Sequence, residues 1–212
     1  MKDRIRRKLI EAIEQATKAR QKWEDLAIKA YGIHPKQIFG PREDKFITFI
    51  EPDDTVLDLG CGNAKTLKAL AEKCKGGIGI ESNPRNYKLA TTQFQSNKVK
   101  IIRDDVHRKL PELAGKYTVT VMSHFLEHMK YPVELLKQLD CKKVIILVPT
   151  FTWEYRMRGD IGMRPTRWGG PGGHYREYTK ELLSEELHAS SWSPEYLEYT
   201  EEEELLCFAR KI

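Results

Sequence analysis

Short apolar runs alternate with helical segments through the middle of this chain, and that alternation limits the folds open to it. The runs are TVLDLG (55–60), GGIGIE (76–81), VKIIRD (99–104), TVTVMS (118–123) and KKVIILVP (142–149). Ala64–Lys73, Pro84–Gln95 and Tyr131–Leu139 read as the helices between them. Runs that are apolar almost throughout are what parallel strands covered on both faces require. Strands and helices in this order build a doubly wound parallel sheet with right-handed crossovers.

The ends of the chain depart from this pattern. Residues 2–31 place Ile5, Leu9, Ile13, Ala16, Ala19, Trp23, Leu26 and Ala30 at three- and four-residue steps, so a helix with one apolar face is expected. Gly32 and Pro35 stop it, and GIHPKQIFGPRE (32–43) reads as a linker. A short helix at Glu43–Ile50 and a turn at Glu51-Pro-Asp-Asp lead into the first strand. Two domains follow: a helical cap over 1–43 and an α/β domain over 44–212. Residues 150–173 hold six glycines and two prolines. Loops longer than about 12–15 residues inside a compact domain are uncommon and usually functional or disordered. Trp153, Tyr155 and Trp168 there either line a pocket or fold the loop over the core. Thr179 suits the N-cap of a helix to Ala189. WSPEYLEYTEEEELLCFARKI (192–212) reads as an antiparallel hairpin at the sheet edge.

Composition narrows the setting. No apolar run reaches the ~18–20 residues of a membrane span, and the charged N-terminus lacks a signal-peptide core, so a cytoplasmic protein is expected. Cys61, Cys74, Cys141 and Cys207 are scattered without a CxxC pair, which suits reduced thiols rather than disulfides or zinc. Of 36 basic and 31 acidic residues, 12 and 7 fall in the first 50, so the rest is balanced at 24 each. The basic excess is therefore N-terminal, either a solvated helix face or a surface for anionic partners.

The stretch VLDLGCGNA (56–64) sets an acid, Asp58, inside an apolar strand and follows it with Gly60 and Gly62. Glycines at a strand-to-helix turn let a ligand approach the backbone. Glu81 ends the second strand about 20 residues later, where an acid can accept from ribose hydroxyls. Asp105, just past the third strand, suits an adenine amino group. Asp58 argues against a pyrophosphate, because like charges repel, and welcomes a ligand with a cationic end. S-adenosylmethionine has an ammonium, a sulfonium, a ribose and an adenine.

VLDLGCGNAKTL resembles motif I of class I S-adenosylmethionine-dependent methyltransferases. GIGIESNP resembles their second motif, IIRDDVHRKLP their adenine-contact stretch with Asp105 favoured over Asp104, and VMSHFLEHMKYP the segment after strand four in the broad small-molecule branch. HYREYTKELLSEEL looks like a stretch that often follows strand five there. The resemblance covers about residues 44–212, with Ala64 where the family often has a third glycine. It implies a Rossmann-like, mostly parallel seven-stranded sheet ending in an antiparallel strand, and S-adenosyl-L-methionine as cofactor. The cofactor residues expected are Asp58, Gly60, Cys61, Gly62, Asn63, Glu81, Ser82, Asp105, Val106 and Ser123.

The expected reaction is methyl transfer to an O or N atom of a small molecule. His124, His128 and His174 are the candidate bases, because a histidine titrates near neutral pH. Tyr175 and Arg176 are candidate pocket residues, Arg176 suited to an anionic group. Trp168 and, by analogy with the N-terminal helices of that branch, Trp23 and Tyr31 complete the expected acceptor pocket. The alternative is an RNA- or protein-modifying methyltransferase docking through the basic N-terminal segment. SHFLEH lacks the Asn/Asp-Pro-Pro-aromatic motif that holds an exocyclic amino group, and no Pro-Cys pair offers a thiolate for ring-carbon methylation. Both absences disfavour nucleic-acid bases. No metal site is expected. His124 and His128 are the one close histidine pair, at a strand end. A monomer or homodimer suits the sequence equally.

Overall fold

The computed structural model describes residues 42–150, 174–200 and 204–212, with helical positions 8, 11, 12, 15, 19, 22 and 26 earlier in the chain. Two compact units divide it, Met1–Arg42 with Thr152–Thr166, and Glu43–Phe151 with Arg167–Ile212. In the first, the seven described positions before Arg42 are helical and exposed. Ala19 and Leu26, assigned from the sequence to an apolar face, are therefore on the outer stripe; Leu26 is 56% exposed. Trp23, Tyr31, Trp153, Tyr155 and Trp168 lie outside the described residues, as does most of the 150–173 loop.

The second unit holds a seven-stranded sheet. Its elements are α1 (Arg42–Ile47), β1 (Thr55–Leu59), α2 (Lys65–Lys73), β2 (Gly76–Ile80), α3 (Pro84–Phe94), β3 (Val99–Ile102), α4 (Val106–Lys109), β4 (Val119–Ser123), α5 (Pro132–Gln138), β5 (Lys143–Pro149), α6 (Lys180–Ala189), β6 (Trp192–Tyr199) and β7 (Glu204–Lys211). The strand order is β3-β2-β1-β4-β5-β7-β6. β1 to β5 run parallel, and β7 pairs antiparallel with both β5 and β6. The doubly wound sheet and its edge hairpin are as the sequence implied.

Period-two alternation divides the buried side chains between two cores. Leu57, Leu59, Met122, Ile146 and Trp192 share one. Val56, Leu67, Leu70, Val121, Ile145 and Phe208 share the other. β2 is built from glycine because α2 lies against it. A Cβ on Gly79 would come 2.6 Å from Cys61 Sγ and 2.9 Å from Leu67 Cδ2. The order reverses between β1 and β4, and such a switch point opens a crevice at the strands' carboxyl ends.

α4 was not read from the sequence. Asp105 makes it, its Oδ1 accepting the N–H groups of His107 (2.9 Å) and Arg108 (3.3 Å). The chain then tightens into a 3₁₀ turn, Leu110–Leu113, with Pro111 in it.

Candidate functional site

β1 delivers Asp58 to the crevice, 3% exposed. Burial, and then the nearby Glu81, push its carboxyl up to about 8. Such a group is largely protonated at neutral pH and is returned to its charged form by a cation placed beside it. Burial, Asp58 and Glu81 likewise push the Cys61 thiol up, so Cys61 is a packing residue and not a nucleophile.

The glycine turn is held from beneath. The N–H groups of Gly60 and Cys61 both donate to Ile80 O, at 2.9 and 3.1 Å. Gly62 N–H donates to Glu81 Oε2 (2.9 Å), and Asn83 N–H to Glu81 Oε1 (2.6 Å). Ala64 N–H reaches Cys61 O, and Lys65 N–H reaches Asn63 Oδ1. A phosphate-cradling turn must point successive N–H groups outward. Here the Gly60, Cys61 and Gly62 N–H groups are already engaged by Ile80 O and Glu81, which argues against a pyrophosphate on grounds independent of the Asp58 charge. Gly60 has φ +68°, and a Cβ there would come 2.6 Å from Phe125 Cδ2. Ala64 takes a left-handed φ of 61° at α2's N-cap, the conformation that favours the glycine missing from its motif.

A cleft of about 100 Å³ opens beside the turn. Gly60, Ser82, Asp105 and Val106 line it, as do Ile80, Asp104, His107, Phe125 and Met129. Asp58, Cys61, Gly62, Asn63, Glu81 and Ser123 stand outside that lining. Glu81 is already the clamp on the glycine turn, and Asp105 is a helix cap. Each keeps lone pairs for a further donor. Asp104, ranked below Asp105 from sequence, shares the cleft, and its Oδ1 accepts from Arg108 Nε (2.6 Å). Phe125 and Met129 fall in the segment after β4, beside the switch point, but had no role assigned from the sequence.

The histidines lie past β4. His124 has φ 51°, rare for a residue with a side chain. Its Nε2 is 2.7 Å from Glu204 Oε1 and its Nδ1 3.6 Å from Glu127 Oε1. It is thus held between two acids. His128 and His174, 46 residues apart, meet edge to face with ring centroids 4.9 Å apart. Tyr175 N–H donates to Glu127 O (2.8 Å). Arg176 pairs with Glu186 and donates from Nη2 to Lys130 O (3.0 Å). The guanidinium expected to hold substrate therefore ties α6 to the β4 turn.

A family model described as a methyltransferase domain matches residues 15–192. The chain belongs to this family. It is a class I, S-adenosylmethionine-dependent methyltransferase. No curated protein matches significantly. Among solved structures, magnesium protoporphyrin IX methyltransferase of Synechocystis PCC 6803 with bound S-adenosylhomocysteine superposes with TM-score 0.65 at 15% identity, covering 93% of this chain and 100% of that one. A SAM-dependent methyltransferase of Aquifex aeolicus gives 0.61 at 15%, covering 84% and 96%. TrmK of M. capricolum with S-adenosylhomocysteine gives 0.56 at 13%, covering 82% and 69%. At such identities these likenesses speak for the fold. No described helix of this methyltransferase is long and apolar enough to cross a membrane.

Proposed function

We propose that this methyltransferase transfers a methyl group to an O or N atom of a small molecule, with the cofactor held across the crevice at the β1–β4 switch point. The observation that carries the cofactor placement is Asp58, a buried carboxyl at about 8 near the end of β1, before a turn whose Gly60, Cys61 and Gly62 N–H groups are engaged by Ile80 O and Glu81. Such a site fits a cationic amino-acid end and not a phosphate. Asp58 takes the ammonium end, directly or through water. Glu81 accepts from the ribose hydroxyls, while Asp105, Val106, Ser82 and Phe125 surround the base. Bound there, S-adenosylmethionine supplies an electrophilic methyl on a sulfonium. The chain's own work is alignment and handling of the acceptor's proton. His128 and His174 stand beside Glu127 at the corner past β4 where the acceptor is handled, and His124 pairs with Glu127 there.

The small-molecule acceptor is supported by the SHFLEH segment, which lacks base-methylation motifs. Residues 1–43 act in this reading as a cap that contributes Trp23 and Tyr31. Deleting residues 1–40 should then abolish turnover and leave the sheet folded by circular dichroism. Turnover unchanged by that deletion would remove the cap from the reading. Docking of RNA through the basic N-terminus is the alternative, marked by binding that falls steeply with salt.

The decisive experiment is calorimetric titration with S-adenosylmethionine and S-adenosylhomocysteine, alongside Asp58→Ala and Glu81→Ala. Wild-type binding weakened about 10- to 100-fold in each variant is expected, the scale of a hydrogen bond to a charged group. Equal affinity in wild type and Asp58→Ala would overturn the placement.

A further inference from the structure

We propose that Glu127, His128 and His174 form a binding site for a divalent first-row transition-metal ion. Each offers a ligand atom, and these atoms all lie within 4.8 Å of one another. His128 Nε2 is 3.8 Å from Glu127 Oε1. Tetrahedral ligands at about 2.1 Å from zinc sit about 3.4 Å apart, so side-chain rotation closes the set. The sequence pointed instead to the His124/His128 pair and to no metal. The third ligand comes from beyond the long loop, which linear spacing cannot show.

Two hydrogen bonds build this convergence. Tyr175 N–H donates to Glu127 O, and Arg176 Nη2 donates to Lys130 O. These two ties flank the cluster and hold His174 against the β4 turn. Supporting groups stand behind the ligands as well. His174 Nδ1 lies 3.2 Å from Glu177 Oε1, on a side chain only 2% exposed. A carboxylate on Nδ1 fixes the tautomer and leaves Nε2 as the donor to an ion. His124, backed by Glu204, also lies 3.6 Å from Glu127 Oε1. Glu127 is fully buried, and His128 and His174 are partly exposed, so the ion would sit between protein interior and solvent.

The donor set names the metal class. Two imidazoles and one carboxylate suit zinc, iron, cobalt or manganese better than magnesium or calcium, which prefer all-oxygen shells. Three protein ligands leave positions open for an exogenous oxygen.

The role of the ion rests on the methyl-transfer reading; its binding does not. An acceptor hydroxyl on the open position becomes more acidic and loses its proton to solvent. Its oxygen lone pair forms the new O–C bond, the methyl–sulfur bond breaks, and that pair stays on sulfur as a thioether. A dedicated base is then unnecessary, and oxygen is the acceptor atom.

Full-length protein stripped with chelator and titrated with Co²⁺, followed by visible absorption, tests the site. One ion per chain is expected. Glu177→Gln should weaken it about 10-fold, the usual effect of a lost outer partner, and His128→Gln and His174→Gln should weaken it further. His188→Gln, on the far face of α6, should change nothing. S-adenosylhomocysteine affinity, measured on the same stripped samples, should be unaltered in all four variants, which also shows them folded. No Co²⁺ bound by the wild type, or binding indifferent to both ligand variants, overturns the site. Loss of S-adenosylhomocysteine binding by the stripped wild type would instead strike at the cofactor reading.

Discussion

Asp54, just before β1, and Asp58, near its carboxyl end, stand four residues apart, both 3% exposed. At the amino end, Asp54 Oδ2 lies 2.6 Å from Lys143 Nζ and accepts Glu51 N–H (2.8 Å), and Oδ1 accepts from Thr118 (2.7 Å). Burial works against its charge, but Lys143, the Glu51 N–H and Thr118 together outweigh it and hold the carboxyl below its ordinary value. At the carboxyl end, burial and Glu81 drive Asp58 the other way. One strand thus carries a buried acid whose counter-charge is built in and another suited to a counter-charge from outside. The first serves the fold, and the second is the mark of a binding site.

The comparison breaks most forcefully at the amino end. Lys143→Met should remove about 3–5 kcal/mol of stability, the cost of stranding one side of a buried pair, measured by denaturant unfolding. Next, Asp58→Asn should lose about 10- to 100-fold in S-adenosylmethionine affinity while the unliganded variant melts higher than wild type at pH 8. A melting point that falls instead would make Asp58 a structural acid like Asp54.

The two acids should also give pH dependences of opposite sign. Asp54, depressed in the fold, contributes stability that is present above the ordinary carboxylate range and lost as pH falls. Asp58, raised in the fold, keeps its proton after the unfolded chain has lost it. The unliganded protein should therefore lose stability as pH rises from about 4 towards about 8. Cofactor binding at pH 7 should release up to about one proton as Asp58 ionises, seen as a binding enthalpy that varies with the buffer's ionisation enthalpy. A buffer-independent enthalpy would mean Asp58 is already charged.

Ala64→Gly should have the smallest effect. Relief of about 1–2 kcal/mol of left-handed strain is offset by a looser unfolded chain and a lost buried methyl. A net change under about 1 kcal/mol is expected, with cofactor affinity unchanged. A larger gain would show that the alanine strains the turn.

The parallel strands were legible because each is an apolar run between helical segments, and VLDLGCGNA announced the crevice because glycines and an acid interrupt one of them. α4 escaped because four residues show no helical period; the Asp105 cap was the only signal, and it had been read as a ligand contact. The same happened with Glu81 and Arg176. Sequence shows that a charged residue stands at a strand end or after a loop, but not whether a backbone N–H or a distant acid has already engaged it. The corner of Glu127, His128 and His174 was hidden for a further reason: His174 comes from a segment 46 residues beyond His128 and reaches it through the Tyr175 N–H, the Arg176 guanidinium and the ring contact. Glu204, in an acidic run assigned to a turn, gave no sign that it would meet His124, 80 residues away.

That last pairing has a consequence for how the molecule comes into being. Glu204 opens β7, which zips antiparallel onto β5 only after every other strand in its path has been synthesised. On the ribosome, β1 to β5 can gather and shape the cofactor crevice while β7 is still inside the exit tunnel. His124 gains its Glu204 partner only when β7 arrives, so the group that backs Glu127 is set in place after the crevice has formed.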